Sequence, residues 1–171
     1  RVLSVSKLQD YKIGALLSLN KHYSLKFNPS VIVGDNPDDI NDTNYGDGNV
    51  IGPVLDGADH GTHVSGIIAS DREDSSGSKG IYNNVKIMVL RAVPDGDEYD
   101  KDVALAIRYA VDNGAKVINT SFGKGYSPHV DWVWDALRHA EKKDVLIVNA
   151  AGNSSETVSY THLRAHETIL D

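Results

Sequence analysis

The chain has 171 residues, 40% apolar and 24% charged, proportions that suit one folded unit and exclude a disordered or collagen-like polypeptide. Its formal net charge of -7, with no long Lys/Arg run, argues against a nucleic-acid partner, because phosphate-backbone binding needs clustered cations. No stretch approaches the roughly 20 apolar residues that span a bilayer, and the absence of cysteine removes disulfides, thiolate metal ligands and a cysteine nucleophile.

Residues 7–25 read as an amphipathic helix, with Leu8, Tyr11, Ala15 and Leu19 at helical spacing. From Gly34 to Gly57 the chain turns to Asp, Asn, Gly and Pro, which predicts a long polar loop. Its acidic run, Asp35, Asp38, Asp39, Asp42 and Asp47, supplies the hard oxygens that calcium prefers, without the spacing or terminal Glu of an EF-hand. A structural calcium is therefore weighed there against a solvated, turn-rich loop.

Residues 60–70 predict a buried helix, with the small Gly61, Ser65 and Gly66 read as positions of close backbone approach. A second polar loop, residues 71–80, precedes a β-branched apolar strand at 85–93. Asp100 is positioned to cap a helix bearing Val103, Ala106, Ile107, Ala110 and Val111, and Gly114 to end it. Residues 116–120 predict a strand, Ser127 and Pro128 open a helix to about Lys143, and residues 145–150 predict another strand. This alternation predicts an α/β fold, a doubly wound parallel sheet with helices on both faces. Ligands of such sheets bind beyond the strands' carboxyl ends, where residues 121–123 and 152–153 should share one edge.

Three motifs carry chemistry. H-G-T-H-V-S-G at residues 60–66 matches at every position the histidine motif, H-G-T-H-V-[AS]-G, of the subtilisin-like serine peptidases. V-I-N-T-S-F-G at 117–123 resembles that family's V-I-N-M-S-[LF]-G, and V-N-A-A-G-N at 148–153 resembles its V-x-A-A-G-N. The resemblance implies that His60 is the catalytic histidine, taking the serine proton and returning it to the leaving amine. It implies that Asn153 donates a hydrogen bond to the oxyanion, and that Ser121, Phe122 and Gly123 pair with the backbone of a peptide or protein substrate. His63, one helical turn beyond His60, resembles the family's structural histidine and is expected to be interior and hydrogen-bonded.

A serine nucleophile and an orienting aspartate complete a triad, yet no G-T-S-M-A-x-P segment occurs in the chain. The aspartate is expected upstream of Arg1, with residues 1–57 inserted between it and His60, and the alternative within the chain is Asp35, which lacks the family's following Ser/Thr and Gly. The expectation is a partial catalytic domain at 58–157, preceded at 1–57 by an insertion and acidic loop, and followed at 158–171 by a non-native tail. The fragment itself is expected to be inactive, with no cofactor required for chemistry and a secreted or cell-envelope parent. Two rivals are a naturally inactive pseudoprotease or peptide-binding module, and a metal-dependent hydrolase using His60 and His63 with Asp56 or Asp59.

Overall fold

A computed structural model of the protein describes residues 5–20, 24, 26–52, 58–73, 77–93 and 98–152. Its elements are α1 (Val5–Asn20), α2 (Ser30–Val33), α3 (Asp59–Ala69), α4 (Asp100–Asp112), β1 (Val117–Thr120), α5 (Val130–Lys142) and β2 (Leu146–Asn149). Aliphatic residues dominate β1 and β2, and the two strands pair in parallel, Val117 opposite Leu146 and Thr120 opposite Asn149. The helix α5 makes the crossover that a parallel pair requires.

The core lies where α4 and α5 meet the sheet. Val103, Ala104, Ile107 and Val111 of α4 recur at helical spacing, as do Val133, Ala136, Leu137 and Ala140 of α5. These two stripes bury one another together with Val145 and Ile147, and each large aliphatic side chain so buried contributes about 1.5–3 kcal/mol. Gly114 ends α4 as expected, at φ 88°, with the Ala115 N–H donating to the Ala110 carbonyl at 3.0 Å. The same wrap ends α5, where Asp144 takes the left-handed conformation, at φ 55°, and the Val145 N–H donates to the Ala140 carbonyl.

Several expectations need correction. The structure supports the α/β class, but the sheet among the described residues has two strands. Residues 85–93 form no strand, and Val85, Ile87, Met88, Val89 and Leu90 are all exposed. Apolar, β-branched composition suits a strand, but a strand forms only where its N–H and C=O groups meet a neighbouring strand. The helix expected at 60–70 is α3, but none of its residues is buried and Ile67 is 52% exposed. Among the described residues the helix is bonded to the segment 80–82, where the Ile81 and Tyr82 N–H groups donate to the Ile67 and Ile68 carbonyls. A Cβ on Gly61 would meet nothing within 4 Å, so no close approach demands glycine there. Helix α1 also leaves Tyr11, Ile13, Leu16 and Leu19 exposed.

Lys101, in the first turn of α4, is 1% exposed. Its Nζ lies 3.3 Å from Asp35 Oδ2, 3.3 Å from Asp42 Oδ2 and 2.7 Å from the Asn36 carbonyl, and 4.2 Å from the centre of the Tyr45 ring. Tyr45 in turn donates to Asp102. Burial, aided by the charge of Asp35, pushes the Asp102 carboxyl above its ordinary value despite the lowering by Tyr45 and Lys101. The acidic loop is thus folded around an ammonium group. Lys101→Met should destabilise the protein by about 3 kcal/mol, because it removes the cation from a nearly buried pair and leaves the Asp35 side chain, 8% exposed, without its partner. Urea denaturation followed by circular dichroism measures this, and an unchanged midpoint would show that the cage contributes nothing.

Candidate active site

The parallel register brings the carboxyl ends of β1 and β2 to one edge. Thr120 closes β1 with a buried hydroxyl that donates to Asn149 Oδ1 at 2.8 Å, and the Ala150 N–H donates to the Thr120 carbonyl at 3.0 Å. The segments 121–123 and 150–152 therefore leave the sheet side by side. Ser121 Oγ accepts from Asn119 Nδ2 at 2.9 Å, and Phe122 packs against the core. Gly152 has φ 85°, a left-handed conformation that favours glycine and redirects the chain as it leaves β2. Asn153, the expected oxyanion donor, lies outside the described residues, as do Asp56 and the expected tail at 158–171.

The loop after β1 is tied to the start of α4. Asp100, expected as a cap, is the first helical residue, and Tyr99 precedes it without a side-chain cap. Its carboxylate instead accepts from the Ser127 hydroxyl at 2.6 Å and the His129 N–H at 2.9 Å, and pairs with Lys124 at 2.9 Å. Ser127 is therefore turned toward α4, and α5 begins at Val130 with no side-chain cap. Glu98 adds a second tie, its Oε1 accepting the Gly123 N–H at 3.2 Å while its carbonyl accepts from Lys124. Sequence reasoning missed both contacts. The signal was the cluster of acids leading into α4, of which Glu98 and Asp100 find partners 24 to 29 positions away in the chain.

Burial pushes the Asp100 carboxyl up, but hydrogen bonds from Ser127 and His129 and the adjacent Lys124 outweigh it and hold it below its ordinary value. A depressed carboxyl stabilises the fold above its unfolded value, about 3.9, and that contribution disappears as pH falls through the folded value. Asp100→Asn should be less stable at neutral pH and lose less on acidification. Thermal denaturation from pH 7 to pH 3 tests this, and parallel profiles for the two proteins would contradict it.

His60 occupies the first turn of α3 and is exposed, and its backbone N–H donates to Asp59 Oδ1 at 2.6 Å. His63 is exposed too, correcting the expectation of an interior histidine, because nothing covers that face of α3 in the described structure. No hydrogen bond or ion pair among the described residues joins α3 to the unit formed by β1, α5 and β2. Asp35, the candidate third triad member, is committed to Lys101.

Among the described residues no group of three His, Cys, Asp or Glu is placed to hold a metal ion, so His60 and His63 do not form a described metal site. In the acidic loop, Lys101 already occupies the point where Asp35, Asp42 and the Asn36 carbonyl converge. Those ligands do not fit a calcium ion while the ammonium is there.

The Subtilase family matches residues 19–168, and the chain belongs to it. Over 107 residues it is 36% identical to the thermophilic serine proteinase of Bacillus sp. (strain AK1), covering 62% of this chain and 26% of the relative. It is 41% identical over 104 residues to the cell wall-associated protease of Bacillus subtilis (strain 168), covering 60% of this chain and 11% of that protein. It is 37% identical over 114 residues to a C5a peptidase of Streptococcus pyogenes, covering 61% of this chain and 10% of that protein. The chain thus spans about a quarter or less of each of these relatives. No solved structure matches it significantly. No helix among the described residues is long and apolar enough to cross a membrane.

Proposed function

We propose that the chain is part of the catalytic domain of a serine endopeptidase, in which His60 is the general base and acid, Asn153 the oxyanion donor and residues 121–123 the strand that pairs with substrate. The observation that carries this reading is the family match across all three motifs, supported by the parallel register that brings residues 121–123 and 150–152 to one sheet edge. In acyl transfer the histidine removes the proton from a serine as it attacks the peptide carbonyl, then returns it to the amine that leaves. The serine, and the aspartate that orients His60, are supplied by residues outside this chain, and further strands complete a doubly wound sheet. The substrate is a peptide or protein, and the intact enzyme works outside the cell or in its envelope, as the name of the cell wall-associated relative suggests.

The experiment is to recover the uninterrupted reading frame and assay its product on casein. A downstream G-T-S-M-A-x-P segment with serine-inhibitor-sensitive hydrolysis supports the proposal. A frame without that serine, and a folded product without activity, would establish an inactive relative instead. The 171-residue chain alone should not turn over substrate, because a base and an oxyanion donor without a nucleophile form no acyl-enzyme.

A further inference from the structure

Gly123 ends the segment read above as the substrate-pairing strand, and its N–H is the kind of main-chain donor that an added peptide strand uses. In this structure that N–H is taken by Glu98 Oε1 at 3.2 Å. A peptide carbonyl bonding to Gly123 must displace the carboxylate, which stays close because the Glu98 carbonyl is held by Lys124. The Lys124 ammonium is shared with the buried Asp100 carboxylate, which lies 2.9 Å from it. A bound peptide would therefore meet an anionic side chain beside Gly123, on a chain whose formal net charge is already -7.

Resting on the proposed role of residues 121–123, we propose that Glu98 is a specificity-determining residue. It occupies the Gly123 amide when the cleft is empty and, once displaced, selects peptides carrying a Lys or Arg side chain over Gly123. Opposite unit charges a few ångströms apart at a wet protein surface are worth enough to give about a five- to tenfold preference, which salt weakens.

The test uses the 171-residue chain, isotopically labelled, titrated with two extended peptides that differ only in Lys or Glu at one position. Nuclear magnetic resonance follows the Gly123 amide, and the same titrations are run on Glu98→Gln, which keeps a carbonyl acceptor for that amide but removes the charge. The expected result is a shift of the Gly123 resonance with both peptides, about a five- to tenfold tighter Kd for the Lys peptide, and loss of that preference in Glu98→Gln. Equal affinities, or a preference that survives in Glu98→Gln, with the Gly123 resonance still shifting, would overturn the role of Glu98 and leave the substrate strand standing. A Gly123 resonance unmoved by either peptide at millimolar concentration would overturn both.

Discussion

Replacing His60 with alanine in the full-length protein is expected to lower kcat roughly 10⁶-fold, a magnitude borrowed from loss of the equivalent histidine in subtilisin. No other side chain of the proposed site can both accept the serine proton and deliver it to the leaving amine. The residual rate would come from the oxyanion donors and from binding alone. His63→Ala is the control, since His63 is exposed on the same helix and has no chemical role in the proposal. Steady-state kinetics on a peptide p-nitroanilide, with circular dichroism on both variants, makes the comparison. Equal losses in two folded variants would remove the distinction between the histidines.

Asn153→Ala should lower kcat by about 10²–10³ with little change in KM, again a figure borrowed from subtilisin. The reason lies in the sheet. Residues 150–152 leave β2 beside residues 121–123, at the carboxyl edge of a parallel pair. In the proposed function the next residue, Asn153, donates its side-chain amide to negative charge that develops only as the carbonyl is attacked. Asn153→Asp should be at least as damaging, because a carboxylate accepts hydrogen bonds and repels an oxyanion. A raised KM with kcat intact would make Asn153 a binding or turn residue.

Much of the unit formed by β1, α5 and β2 was legible because its signals are local. Apolar residues at 117–118 and 145–148 mark strands, the apolar stripes of α4 and α5 have helical spacing, and Gly114 stops α4 where a left-handed residue is required. Residues 85–93 carry an equally good composition and form no strand, because pairing is a property of neighbours that composition does not encode. Helix α3 was legible as a helix, but whether its apolar residues are covered depends on what packs against it.

Polar contacts were the least legible. Asp100 and Ser127 both look like helix caps, yet each finds its partner in the other, 27 positions apart. Lys101 reads as a solvated charge at the start of a helix, but Ala104, one turn on, is buried, which places Lys101 on the inward face. Taken with the surplus of aspartates in residues 35–47, that spacing was the available clue that the loop's cation is a lysine.

The most direct measurement is covalent labelling of the full-length protein with a fluorophosphonate, followed by mass-spectrometric mapping of the adduct. The expected result is stoichiometric modification of a single serine outside these 171 residues, slowed at least about 10³-fold by His60→Ala. Modification of Ser121 or another serine within the chain, or labelling at the same rate without His60, would contradict the assignment of His60 as the base of a serine endopeptidase.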